Sequence, residues 1–116
     1  PLDAALADLT AVDAASDWPA AARAHAAFHR ALVAAAGSPR ITEAYARLDS
    51  EMLLLLTHLR PGYPAASLGD EHRDYLAAVQ RDGGEAVRAH LAGSTAQIRS
   101  ARADAGDAGL PASRSA

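Results

Sequence analysis

The chain has 116 residues, half of them hydrophobic and 4% aromatic, with a formal net charge of −3. This length fits one domain of ordinary size. All 11 basic residues are arginine and they form no cluster, which argues against direct binding of DNA or RNA because phosphate binding needs a basic face. Cysteine is absent, so thiolate metal sites and disulfides are excluded. The longest run of large apolar residues, residues 52–56, is too short to span a membrane, and we expect a cytoplasmic protein.

Alanine dominates the composition and decides the expected fold class. It makes up more than a quarter of the chain and is the best helix former. Its small side chain also lets helix backbones approach closely. Valine, isoleucine and threonine are too few and too scattered to build a sheet. The composition therefore predicts an all-α protein.

The first two predicted helices are separated by the sequence "SDWP". Apolar residues recur at helical spacing over residues 2–15, which predicts the first helix. Asp17 is a good N-cap for the next helix, and Pro19 falls in its first turn, where the missing N–H costs nothing. The second helix is predicted over residues 18–36 and should end at Gly37.

The third predicted helix restarts directly at "SPR". Ser38 is the expected cap and Pro39 lies in the first turn. The helix should end before the Pro/Gly loop at residues 60–64. The apolar stripe that should be buried is Ile41, Tyr45, Leu48, Met52, Leu55 and Leu59.

Two more helices complete the predicted fold. They are expected over residues 68–81 and 85–103, with "DGG" at residues 82–84 breaking the chain between them. Long amphipathic helices joined by short loops predict an antiparallel bundle of five to six helices over residues 1–104. Residues 105–116 are predicted to be a disordered tail. The residues expected to face inwards are Tyr75, Leu76 and Val79 in the fourth helix and Val87, Leu91 and Ile98 in the fifth.

The histidines are the main chemical signal. His25 and His29 lie four residues apart, so both can reach one metal ion from the same helix face. His72 and His90 stand on later helices. The alternative is that these are surface or hydrogen-bonded core histidines. A metalloprotease would need glutamate where Ala26 stands, no Glu-x-x-His motif of di-iron bundles occurs, and no serine has a positioned base. We therefore expect no enzyme.

Two stretches of the sequence resemble a known family. They are "HAAFHRALVAAAGSPRI", residues 25–41, and "GDEHRDYLAAVQRDGGEAVRAHL", residues 69–91. Both resemble the FCD domain, the FadR-like C-terminal effector-binding domain of GntR-type bacterial transcription regulators, and the resemblance covers about residues 5–100. It implies a helical bundle that dimerises and binds a small carboxylate effector at or beside a central metal, often zinc or nickel.

DNA binding is implied only for a separate N-terminal winged helix-turn-helix domain. We expect that domain to be missing here, and the resemblance leaves open whether the first helix of the effector domain is missing too. The family's metal site uses one aspartate and three histidines, of which His29 and His72 match two. The aspartate falls on His25, which can ligate but supplies no charge. The last histidine falls on Ser94, one helical turn after His90.

The resemblance thus implies a ligand-sensing and dimerisation domain of a GntR-family regulator. The expected metal ligands are His25, His29, His72 and His90. The alternatives are a metal-free interaction domain of the same fold and a small metal-dependent enzyme. The candidate ligand-binding residues are Ser94, Arg47 and Arg99.

Overall fold

A computed structural model of the chain describes residues 1–58 and 68–109. Every regular element in these two ranges is a helix, which confirms the all-α prediction. None of these helices is long and apolar enough to cross a membrane. The helices are α1 (Leu2–Ala11), α2 (Trp18–Ala35), α3 (Pro39–His58), α4 (Leu68–Asp82) and α5 (Gly84–Gly109).

The junction between α1 and α2 is longer than predicted. The helix ends before Val12, which is extended, with φ −75° and ψ 136°. The Asp13 carboxylate then accepts a hydrogen bond from the Ala15 N–H at 3.1 Å, a local turn that competes with continuing the helix. The predicted cap of α2 is confirmed, because the Asp17 carboxylate accepts from the Ala20 N–H at 3.0 Å.

The turn between α2 and α3 follows the prediction. Gly37 has a φ of +71°, a left-handed conformation that favours glycine after a helix. The Ser38 hydroxyl accepts from the Ile41 N–H at 3.4 Å and so caps α3. This short turn folds α3 back along α2. An ion pair of 2.6 Å between Arg30 and Asp49 joins the two helices further along.

The core lies where α1, α2 and α4 meet, with one residue of α3. Trp18 is 1% exposed, and its indole N–H donates to the carbonyl of Leu56 at 2.9 Å. The predicted inward residues Tyr75 and Leu76 are buried. At Gly69 the helices α1 and α4 approach so closely that a Cβ would lie 2.9 Å from the Cα of Thr10. The buried core residues include Leu9, Ala14, Trp18, Ala21, Phe28, Leu56, Leu68, Tyr75 and Leu76.

The predicted burial of the α3 stripe is wrong for most of its length. Ile41, Leu48 and Met52 are 54%, 56% and 38% exposed. In the described part of the chain α3 packs chiefly on α2, and α5 packs on α4, so the apolar faces of α3 and α5 border an open space. Leu91 on α5 is 57% exposed for the same reason. Leu59, the last residue of the predicted stripe, lies outside the described residues.

The final helix is longer than predicted. Residues 105–109, expected as the start of a disordered tail, continue α5 as helix. The next proline is Pro111, so no proline breaks the helix within this segment. Residues 110–116 of the predicted tail lie outside the described residues.

Candidate metal centre

Two histidines of α2 begin the site. His25 and His29 are one helical turn apart, and their Nε2 atoms lie 3.1 Å from each other. Phe28, which precedes the second histidine, is 0% exposed and anchors this part of α2 in the core. The helix rotation that buries Phe28 thus brings the two imidazoles together beside it.

The third histidine comes from α4. His72 is 0% exposed, and its Nε2 lies 3.2 Å from the Nε2 of His29. Its other nitrogen, Nδ1, lies 2.8 Å from the carbonyl oxygen of Leu68. A carbonyl can only accept, so Nδ1 carries the proton and donates. In the neutral ring the lone pair on Nε2 therefore points at His29, which is the orientation a metal ligand needs.

The spacing of the three imidazoles fits a metal ion. Their ligand atoms all lie within 4.8 Å of one another. A tetrahedral ion with nitrogen ligands at zinc distances separates those nitrogens by about 3.3 Å, close to the two measured contacts. The single N–H of His29 can point directly at only one of its two neighbours, His25 and His72. A metal ion would instead bind a nitrogen lone pair from each of the three imidazoles. Three protein ligands also leave a coordination position open for a further ligand.

The surroundings keep these histidines neutral. Burial, followed by the neighbouring histidines, lowers the pKa of His25 well below its usual range and that of His29 to about 3. Burial also lowers the pKa of His72, although the Leu68 carbonyl and Glu71 oppose this. The neutral imidazole is the form that binds metals. The cluster is therefore ready to bind an ion at neutral pH.

His90 lies beside the cluster but is not one of its three converging residues. Its ring stacks on Tyr75, with centroids 3.7 Å apart and planes at 7°. The Nε2 atom lies 3.4 Å from the Ser94 hydroxyl oxygen. The ring centroid is 5.1 Å from that of His72. Burial, then His72, lowers the pKa of His90 to about 4.

A cavity of about 310 Å³ adjoins the histidines, in the space between α2, α3 and α5. Ser94, one of the predicted ligand-binding residues, lines it. The two predicted arginines do not. Arg47 is exposed and pairs with Glu43 at 3.2 Å on the same helix, and Arg99 is exposed on α5. The apolar part of the cavity wall includes Leu48, Met52, Leu53, Leu56, Leu91 and Ile98.

Two polar residues of this cavity, Tyr45 and Asp49, were not among the predicted site residues. One carboxylate oxygen of Asp49, Oδ2, accepts from Arg30, while the other, Oδ1, is buried with no hydrogen-bond partner. Burial, then the negative charge of Asp49, raises the pKa of Tyr45 to about 12. The sequence indicated Asp49 only through its position. It lies four residues after Tyr45 and hence on the same face of α3 as the apolar stripe.

Similarity to known proteins agrees with the resemblance noted above. The chain matches the FCD domain family over residues 1–95, which is most of its length. No curated protein and no solved structure matches it. The matched region contains α1 to α4, the first part of α5 and all three clustered histidines. The chain therefore belongs to the FCD domain family of regulatory, effector-binding helical domains.

Proposed function

We propose that this chain is the effector-binding and dimerisation domain of a GntR-family transcriptional regulator, and that it binds a small organic acid at a divalent metal centre. The supporting observation is the convergence of His25, His29 and His72 beside a cavity. Structural metal sites usually close all four positions with protein ligands, whereas sites that bind a further molecule keep one open. The three-histidine arrangement corresponds to the second kind.

Zinc or nickel is the proposed metal, because imidazole nitrogen suits both ions. When bound, the ion would supply a positive charge that holds the carboxylate of the effector. His25 stands where the family carries an aspartate. The neutral side chains of His25, His29 and His72 therefore do not offset the positive charge of the metal ion. In a partly buried site this favours an anionic ligand more strongly.

The cavity limits the size and character of the effector. A liquid water molecule occupies about 30 Å³, so 310 Å³ corresponds to roughly ten non-hydrogen atoms. Leu48, Met52 and Leu91 would contact an apolar body, while Ser94 and His90 offer polar atoms at the wall. A short-chain carboxylic acid matches this pattern.

Regulation would arise through movement of the cavity walls. An effector changes DNA affinity only if it binds two conformations of the regulator differently. The cavity lies between α2, α3 and α5, so an occupant that contacts Met52 and Leu91 would favour a closer approach of α3 and α5. We place the regulator in the cytoplasm, with DNA contacted only through a separate domain. Dimerisation would use exposed apolar residues such as Ile41 and Leu54.

The alternative is an FCD domain whose pocket works without metal. It is favoured by the position of His90, which stacks on Tyr75 and faces Ser94 instead of joining the cluster. The family's fourth ligand falls on Ser94, so the cluster has one histidine fewer than the family's pattern. In this alternative, neutral imidazoles would bind the effector through hydrogen bonds alone.

Calorimetric titration with six-carbon acids, hexanoate and its hydroxylated forms, distinguishes these proposals. For the zinc-loaded chain we expect binding that weakens at least about tenfold after chelation, because a charge-assisted contact is lost. His29→Ala should behave like the chelated chain. His58→Ala, which alters an exposed histidine on α3, should bind like the unmodified chain. Equal binding with and without zinc would favour the metal-free pocket, and no binding of any acid would contradict both.

A further inference from the structure

His90 lies nearly as close to His29 and His72 as these two residues lie to each other. Its ring centroid is 5.1 Å from that of His72 and 5.4 Å from that of His29. The centroids of His29 and His72 are themselves 5.1 Å apart, and yet their Nε2 atoms are in contact at 3.2 Å. What keeps His90 out of the cluster is therefore the orientation of its ring more than its distance.

Two contacts set the orientation of the His90 ring, and neither is strong. The ring stacks on Tyr75, with centroids 3.7 Å apart. Its Nε2 lies 3.4 Å from the Ser94 hydroxyl oxygen, beyond the range of about 2.5–3.2 Å that is usual for hydrogen bonds. A stacked aromatic pair and a long polar contact contribute less free energy than a bond from an imidazole to a metal ion. Metal binding at the cluster therefore favours a turn of this ring toward it.

His90 also lines the cavity proposed for the effector, together with His25 and His29. The carboxylate of an acid in this cavity would approach the metal centre from the side on which His90 lies. A four-coordinate ion held by three imidazoles has one position left. His90 and the carboxylate therefore compete for the same position.

We infer that His90 is an exchangeable fourth ligand: its ring binds the metal centre when no effector is present, and the effector carboxylate displaces it onto Tyr75. This inference rests on the proposed function, because it assumes an ion at the three clustered histidines and an acid beside it. The exchange gives the effector a means of acting on α5, because its presence decides whether this helix is tied to the centre through His90.

The competition predicts two opposite effects of one substitution. His90→Phe keeps an aromatic ring against Tyr75 but removes the ligand nitrogens. Without acid, the zinc affinity of this variant should fall at least about tenfold, and the affinity of its zinc-loaded form for hexanoate should rise by the same factor. A residue with a merely structural role would not change the two affinities in opposite directions. Zinc titration against a competing chelator and calorimetric titration with hexanoate measure them.

Two further residues provide the controls. His58→Phe makes the same replacement at an exposed histidine outside the cluster and should leave both affinities unchanged. Tyr75→Leu removes the stacking partner of the displaced ring, so hexanoate should bind more weakly while zinc binding is retained. Tyr75→Phe keeps the stack and should behave like the unmodified chain. An unchanged hexanoate affinity in Tyr75→Leu would contradict the role given to the stack.

The exchange can also be observed in the unmodified chain by nitrogen NMR of labelled histidine rings. Zinc should shift the ring signals of His90 and of the three clustered histidines, and saturating hexanoate should return only those of His90. If the His90 signals do not move with zinc, or stay shifted while hexanoate binds, the inference is overturned and the proposed metal centre stands. If zinc shifts no histidine signal, or if no acid binds, the proposed function fails and this inference fails with it.

Discussion

The Nε2 atoms of His29 and His72 lie 3.2 Å apart, although the two residues are 43 positions apart in the chain. The ring centroid of Phe28 is 5.4 Å from the centroids of both, so a core residue supports the contact from behind. The Leu68 carbonyl fixes the orientation of the His72 ring. The site is thus built on the rigid core of α2 and α4, and it does not need a loop to order it.

The buried histidines should make the metal-free chain sensitive to acid. His29 has its pKa lowered to about 3 in the folded chain, while an unfolded histidine titrates near pH 6.5. Between these values the unfolded chain binds more protons, so stability falls as the pH falls. The lowered pKa of His29 alone should reduce the free energy of unfolding by about 2 kcal/mol when the pH falls from 7 to 5. Urea unfolding followed by circular dichroism, with chelator present, measures this loss.

The control for that experiment is His58, which is exposed on α3. Its Nδ1–H donates to the Leu54 carbonyl at 2.8 Å, outside the cluster. His58→Ala should keep the acid sensitivity, and His29→Ala should reduce it. Equal unfolding free energies at pH 7 and pH 5 would show that the cluster is not held neutral by burial.

A pair of glycine substitutions tests the close contact between α1 and α4. Gly69→Ala should destabilise the fold by about 1–3 kcal/mol, because the new Cβ would lie 2.9 Å from the backbone of Thr10. Gly93→Ala, on α5, meets nothing within 4 Å and should stabilise it by about 0.5–1 kcal/mol through helix propensity. Thermal unfolding of both variants measures these two changes in stability. Equal shifts of the same sign would contradict the described packing.

Dimerisation can be tested at one residue of α3. Leu54 is 61% exposed, and a large apolar side chain at such a position is consistent with an interface. Sedimentation should show a dimer whose dissociation constant rises at least about tenfold in Leu54→Lys. Ser50→Lys, one turn earlier and also exposed, places the same charge nearby and tests whether Leu54 itself matters. A chain that stays monomeric at high concentration would contradict the proposed interface.

Local signals in the sequence predicted most of the fold. Asp17, Gly37 and Ser38 occupy positions whose backbone chemistry is decided within a few residues, and the structure places the helix ends close to them. The end of α1 was missed because Asp13 forms its own turn with Ala15, which a spacing pattern does not reveal. The prediction of a buried α3 stripe failed because periodicity shows which face is apolar but not what covers it.

The candidate site was predictable only in part. The i, i+4 spacing indicated His25 and His29, and the family resemblance added His72, which the structure brings to them. The orientation of His90 depends on its stacking with Tyr75, a contact between α4 and α5 that no local pattern encodes. Asp49 resembled an ordinary helical acid, because its burial depends on how α3 lies against α2.

The most direct test of the account is the zinc content of the chain, purified without a metal affinity column and measured by mass spectrometry at neutral pH. We expect about one zinc or nickel ion per chain, retained in His58→Ala and lost in His29→Ala. The reason is that the ion is held by the three imidazoles of the cluster, and His29→Ala removes the one in contact with both others. A chain that takes up no zinc or nickel, or a His29→Ala variant with unchanged metal content, would contradict the central claim.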